Sequence, residues 1–365
     1  MTAVPRILVV CERFGPAGFG LSLAARRFTA ALPGGWETVP LAFLPEVDPD
    51  PPSRLERVHP DLLDRLLKRV AGFDGLVERF RPDLIHIHGI WTSAPMQAEA
   101  WRRRGVRLVI SPHGMAEPWI RHRNPIRKRL FDALLGHAAA IAAADAVHAL
   151  NRAEEEAVRA WLPGVRRVVV IPNGVDAPTR APLPSNSRDF LFCGRFHPKK
   201  NLELLLAAWR EAALDGCRLL LAGDGDDGYA ATIRAQAATV PGVVLLGAVG
   251  GASKEAAFAS SSFGILTSHS EGQPLALLES LAAGRPVIAT SGCRLPEVLE
   301  LGLGWQGDDR AAIVAALRGA AALDHHERER LGEHCGGVAA DRWSWTRSAG
   351  AMADLYRDLL GAPLT

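Results

Sequence analysis

Two glutamates, Glu271 and Glu279, stand with seven residues between them in the stretch "SHSEGQPLALLES" (Ser268 to Ser280). The preceding apolar run "FGILTS" has the length of a buried strand. "LALLESLAAG" then reads as a helix, with Pro274 at its first position and Gly284 at its end. Glu271 is therefore expected in a strand-to-helix loop and Glu279 inside the helix. The eight steps between them span about 12 Å if all are helical. That is wider than the roughly 5–9.5 Å between the carboxylate pairs that hydrolyse glycosides. Carboxylates at this distance suit two ends of one long ligand. The plain alternative is a solvated loop glutamate and a helix-surface glutamate.

Other loops carry chemistry of their own. "GRFHPKKN" (Gly194 to Asn201) follows a strand and opens the helix "LELLLAAW". Lys199 and Lys200 stand there together, near Arg195, in a chain that has only five lysines. Cations at a helix N-terminus oppose its dipole unless an anion joins them, and a pyrophosphate is such an anion. "ISPHGM" puts His113 just beyond a strand end, and "HIHGIW" puts His86 and His88 on one strand face. A lone histidine is more often a structural hydrogen-bonding group than a catalyst. "GPAGFG" (Gly15 to Gly20) opens a helix but lacks the dinucleotide fingerprint and its later acidic residue, so nicotinamide binding is discounted. "GDGDDG" (Gly223 to Gly228) lacks the ligand set of a calcium loop and reads as a structural turn.

Strand-length apolar runs alternate with helical patterns almost throughout. This implies an α/β chain with two doubly wound, parallel-sheet domains. The joint is expected at the proline-rich "DAPTRAPLPSNSRD" (Asp176 to Asp189). We assign residues 1–180 to a first Rossmann-like domain on the acceptor side and 181–345 to a second that binds the nucleotide. Residues 346–365 are assigned to a C-terminal helix packing back on the first domain, although the spacing alone suits either. Ligands of such sheets bind beyond the carboxyl ends of the strands, which points to the cleft between the domains. The formal net charge of +2 gives no argument for nucleic acid, and five scattered cysteines suggest neither disulfides nor zinc. "MTAVPRILVV" lacks the form of a signal peptide, and no stretch approaches 18 uninterrupted apolar residues. A reduced, cytoplasmic setting is expected.

Together these stretches are more specific than any one of them. In order, "HIHGIW", "SPHGM" followed by "EPW", "IPNGVD", "GRFHPKKN", "LLLAGDG", "SEGQPLALLESLAAGRPVIAT" and the C-terminal "WSW…LY" resemble the family 4 glycosyltransferases of GT-B architecture. "HIHGIW" and "SPHGMAEPW" look like the branch that builds bacterial surface polysaccharides. The resemblance implies that Glu271 holds the donor sugar, with Gly272, Gln273 and Pro274 beside it, and that Glu279 binds the ribose. Pyrophosphate would face Arg195, Lys200, the helix start at Leu275 and Ala276, and Gly18. His113 would lie near the donor sugar. Gln273 and Pro274 depart from the phenylalanine-glycine common in the family, so the sugar is read differently here.

The implied reaction moves a sugar from a nucleoside-diphosphate sugar to a glycan, with retention and without a metal or other cofactor. The acceptor is expected to be lipid-linked. Nine Lys or Arg against one acid, Glu117, from Trp101 to Leu130 suggest contact with anionic lipid at the inner face of the cytoplasmic membrane. The competing readings are a sugar-nucleotide-binding protein without turnover and a GT-B epimerase or phosphorylase.

Overall fold

The computed structural model describes residues 4–14, 19–43, 55–57, 72–121, 136–176, 188–225 and 228–361. The chain divides into two compact units, 1–174 with 345–365, and 175–344. Most of the proline-rich joint read from the sequence lies outside the described residues.

In the first unit the strands are β1 (Arg6–Cys11), β2 (Glu37–Ala42), β3 (Glu56–Arg57), β4 (Leu84–His88), β5 (Arg107–Ser111), β6 (Ala146–Ala149) and β7 (Val168–Val170). They form one sheet in the order β3-β2-β1-β4-β5-β6-β7, and every pairing is parallel. Side chains alternate across each strand. Leu8, Val10, Ile85 and Ile87 enter one apolar cluster, while Ile7, Val9, Cys11 and Leu84 enter another. Both faces are thus covered, which is why these strands are nearly continuous in apolar residues. The second cluster is closed by the C-terminal helix Trp345–Leu360, through Trp345, Met352, Leu355 and Tyr356.

The second unit repeats the plan. Its strands are β8 (Phe190–Cys193), β9 (Leu219–Ala222), β10 (Val243–Gly247), β11 (Phe263–Leu266), β12 (Val287–Ala289) and β13 (Gly304–Gln306). Their order is β10-β9-β8-β11-β12-β13, again all parallel. Each sheet therefore reverses its direction of build once, between β1 and β4 and between β8 and β11. Ligands of open α/β sheets bind outside the carboxyl ends of the strands at that reversal. This is the two-domain α/β arrangement expected from the alternating pattern. β3 and β13, two and three residues long, are too short to show a period in the sequence.

Glycines set several close approaches. A Cβ on Gly264 in β11 would lie 2.3 Å from Ser280 Oγ, so the helix Leu275–Ala282 can seat directly on that strand. A Cβ on Gly174 would lie 2.3 Å from the backbone nitrogen of Trp345. This gives the "PNG" motif a packing role at the start of the C-terminal helix. Gly174→Ala should therefore cost about 1–3 kcal/mol by overpacking. Gly164→Ala, where nothing lies within 4 Å, should stay within about 0.5 kcal/mol. Thermal unfolding of the two variants, side by side with the parent, checks the contrast.

Candidate active site

In the second unit, the loop after β8 begins at Gly194, runs past the exposed Arg195 and turns through a short 3-10 segment, Pro198–Lys200. His197 caps that segment, its Nδ1 accepting from Lys199 N–H at 3.1 Å. Asn201, in the left-handed region at φ 50°, then starts the helix Leu202–Ala212. The loop is clamped to the loop after β11. Thr267 Oγ1 lies 3.2 Å from the Lys200 carbonyl and 3.0 Å from that of Asn201, and His269 N–H donates to the Lys199 carbonyl at 2.9 Å.

This clamp brings Lys200 Nζ to 2.7 Å from Glu271 Oε1 and Lys199 Nζ to 3.7 Å from Glu271 Oε2. Glu271 is buried. Burial by itself would raise its carboxyl pKa, but Lys200 first and Lys199 second hold it below the usual value. The negative partner that the two lysines need at this helix start is thus already a protein carboxylate. The sequence reading had assigned that part to a pyrophosphate alone. Glu271 is fixed from behind as well. Its N–H donates to the Gly292 carbonyl at 2.8 Å, and a Cβ on Gly292 would collide with the Ser268 carbonyl at 2.3 Å.

Gly272, Gln273 and Pro274 follow Glu271 and lead into the helix Leu275–Ala282. Pro274 immediately precedes the helix, one place earlier than the sequence pattern suggested. Leu275 and Ala276 form the first turn. Glu279 lies mid-helix, and its Oε1 is 2.6 Å from Lys254 Nζ on the neighbouring helix Gly251–Ser260. All three lysines of this unit therefore contact one or other of the paired glutamates. Cys193, at the end of β8, sits in the field of Lys254, Glu279 and Lys200, but burial dominates and pushes its thiol up to about 11. Lys254 was not singled out from the sequence. The signal that could have found it was the scarcity of lysine.

The loop after β9 supports this arrangement without contributing chemistry. Cβ atoms on Gly223 and Gly225 would fall 1.8 Å from the Gly194 carbonyl and 2.6 Å from that of Phe196, and Phe196 N–H donates to the Asp224 carbonyl at 2.9 Å. These glycines are what the "GDG" turn needs in order to lie against the lysine loop. Asp226 and Asp227 lie outside the described residues.

In the first unit, four histidines gather beneath the carboxyl ends of β4, β5 and β6. A hydrogen-bonded chain fixes the tautomers of two of them. The Ile171 carbonyl can only accept, so His148 Nε2 carries a proton and donates at 2.7 Å. Burial holds the His148 pKa down at about 4, so its Nδ1 is bare and accepts from Ser111 Oγ at 2.6 Å. Ser111 in turn accepts from His86 Nε2 at 2.6 Å, leaving His86 Nδ1 to accept from Tyr356 O–H at 2.5 Å. The C-terminal helix is thereby bonded to the middle of the sheet.

His88 stacks on His86, with ring centres 4.1 Å apart, and its Nδ1 meets His113 Nε2 at 2.8 Å. His113 occupies a tight turn from Pro112 to Met115, at φ 53°, with Gly114 at φ 78°. Two successive positive φ values define a mirror-image turn, for which Gly114 is suited. Glu154, fully buried, accepts from the Gly114 N–H and, at 2.8 Å, from the Leu150 N–H. Glu154 is a supporting residue that the sequence reading missed. "NRAE" advertised only a helix start, which the structure also has, with Asn151 capping Glu154 N–H. Gly18, the remaining site residue read from the sequence, lies outside the described residues, as do residues 122–130 of the basic stretch. Within that stretch, Trp101 is engaged by Asp74 through its indole N–H at 2.6 Å and lies under Arg104.

Residues 187–322 match the family described as "Glycosyl transferases group 1", and residues 6–174 match the "Glycosyl transferase 4-like domain". The two matches follow one another along the chain and indicate a GT-B glycosyltransferase of the family 4 type. Among curated relatives, the D-inositol 3-phosphate glycosyltransferase of Thermobispora bispora is 27% identical over 97% of this chain and 89% of its own length. That of Segniliparus rotundus is 26% identical over 94% and 81%. Among solved structures, the sucrose-phosphate synthase of Thermosynechococcus elongatus superposes with a TM-score of 0.77 at 21% identity, covering 98% of this chain and all of its own. Anabaena HepE, solved with UDP and glucose, gives 0.73 at 17% identity over 97% of this chain and all of its own. At these identities the structures speak for the fold.

Burial lowers the pKa of all four histidines, His113 to about 3 and His148 to about 4. Below pH 6.5 the unfolded chain therefore binds protons that the folded chain refuses. The resulting stability is complete above about pH 6.5 and falls as pH drops through the window down to about 4. The slope is on the order of 1.4 kcal/mol per pH unit for each histidine involved. Unfolding midpoints measured from pH 7.5 to 4.5 should fall with a dependence steeper than one proton.

Proposed function

We propose that the protein transfers a sugar from a nucleoside-diphosphate sugar to an acceptor with retention of anomeric configuration, and without a metal. The observation that carries this reading is the set of three lysines gathered on Glu271 and Glu279 at the carboxyl ends of β8 and β11. In it, Arg195, Lys200 and the helix start at Leu275 and Ala276 receive the diphosphate. Glu279 binds the ribose. Glu271, with Gly272, Gln273 and Pro274, holds the sugar. Cations placed where charge grows on the leaving group supply the stabilisation that matters most for this reaction. His113, with a pKa of about 3, is a poor proton acceptor near neutrality. It therefore supports the donor sugar by hydrogen bonding, and the leaving diphosphate takes the acceptor's proton.

For the acceptor, the likeness of "HIHGIW" and "SPHGMAEPW" to the surface-polysaccharide branch and the basic stretch Trp101 to Leu130 support a lipid-linked glycan at an anionic membrane surface. No helix among the described residues is long and apolar enough to cross a membrane. The relatives named for D-inositol 3-phosphate support a second reading, a small phosphorylated polyol. Turnover with each acceptor class, with and without anionic vesicles, separates the two.

The reaction is tested by following nucleotide release in excess EDTA and by proton NMR of the first linkage formed. Activity should persist and the linkage should keep the donor's configuration. An inverted product, or activity lost in EDTA and restored by magnesium or manganese, overturns the mechanism. Lys200→Ala and Arg195→Ala should each cost on the order of 1.5–3 kcal/mol of transition-state stabilisation. Glu279→Gln should weaken binding of the free nucleoside diphosphate. Glu271→Gln should slow transfer with little change in that binding, and calorimetry would expose equal losses.

A further inference from the structure

We propose that Lys254 is a specificity-determining residue: together with Glu279 it forms a carboxylate–ammonium pair that reads a ribose hydroxyl as donor and acceptor at once. This inference rests on the proposed reading of Glu279 as the ribose-binding residue. Lys254 Nζ lies 2.6 Å from Glu279 Oε1, and the side chains keep 30% and 21% of their surface exposed, so a ligand can reach both. The two residues come from different helices, Gly251–Ser260 and Leu275–Ala282, and the second is seated on β11 by the Gly264–Ser280 contact. The pair is thus held by the fold.

An ammonium has three donors and a carboxylate about four lone-pair sites, so their mutual bond exhausts neither. A hydroxyl placed at the rim of the pair can donate to Glu279 and accept from Lys254 without parting them. A carbonyl can satisfy only the lysine, and an ammonium only the glutamate. Two adjacent hydroxyls, as on a ribose, can use the arrangement twice. A half-buried, solvent-reachable ion pair of this kind contributes modestly to stability, which leaves recognition as its larger role. Its setting supports that view. Lys254 and Lys200 both lie within electrostatic range of Cys193, at the end of β8.

The test is calorimetric titration with uridine, guanosine and adenosine diphosphates. The tightest binder is then compared with its 2′,3′-dideoxy analogue in the parent, Lys254→Met, Lys254→Arg and Glu279→Gln. Lys254→Met should weaken the ribonucleotide about tenfold and the dideoxy analogue less than twofold, and Lys254→Arg should restore much of the difference. Equal weakening of both ligands would mean a diphosphate contact or a general charge effect. Tighter binding of the ribonucleotide would mean that Lys254 competes for Glu279. Either result overturns the inference. If Glu279→Gln fails to distinguish the two ligands, the ribose reading of Glu279 falls. If Glu279→Gln distinguishes them and Lys254→Met does not, only the role of Lys254 falls.

Discussion

Lys200 and Glu271 are 71 residues apart in the chain, and their 2.7 Å contact ties the carboxyl end of β8 to that of β11. Taking a carboxylate out of water costs several kcal/mol. Here that cost is offset by two ammonium groups and by the backbone bonds that hold both loops. A buried pair of this kind adds little net stability, yet removing one partner strands the other, at about 3–5 kcal/mol. Its value lies in position: both loops must be in place together. The glycines at 223, 225 and 292 follow from this, because each lets a backbone come close enough for the loops to meet. Gly223 shows the scale, since its Cβ would overlap the Gly194 carbonyl at 1.8 Å.

The first unit solves the opposite problem. Its polar cluster carries no ion pair among the histidines; each ring is kept neutral by burial, and the hydrogen-bond chain from Tyr356 to Ile171 assigns every proton along it. Such a chain is high-stakes, because a partly satisfied buried network costs more than an apolar core. The C-terminal helix is therefore more than a cover. Tyr356 supplies the proton that lets His86 present its other nitrogen to Ser111, and His86 is the ring on which His88 stacks. His113 receives its shape from another direction, through Glu154 and Gly114.

Much of this was legible in the sequence, for physical reasons that differ by residue. Apolar runs at strand length reveal parallel strands because such strands are covered on both faces. Thus β1, β4, β5, β8 and β11 could be read within a residue or two. β13, "GWQ", could not, because three residues give no period and its glycine is explained only by the Val287 carbonyl lying 1.9 Å from where a Cβ would be. Glu271, Glu279 and Lys200 stood out through spacing and rarity. Their pairing did not, because local sequence says nothing about which loops meet. Lys254 and Glu154 were hidden for the same reason: each acts across a sequence separation of 25 or 40 residues, on a partner that only the fold supplies. The stretch Trp101 to Leu130 shows the same limit. The run of basic residues with tryptophans is plain in the sequence, but the bond from the Trp101 indole to Asp74 is not.

Charge balance links the two lessons. Lys199, Lys200, Lys254 and Arg195 stand with Glu271 and Glu279 in the second unit, a net of two positive charges. The diphosphate of a nucleoside-diphosphate sugar carries two negative charges, so in the proposed reading the donor and its site neutralise one another. In the same reading, negative charge develops on the leaving oxygen as the sugar departs, and Arg195 and Lys200 hold it more strongly than they held the donor. Interactions that strengthen toward the transition state accelerate a reaction, whereas equal binding of donor and transition state does not. The two glutamates hold the lysines in place, Glu271 engaging Lys200 and Lys199 and Glu279 engaging Lys254.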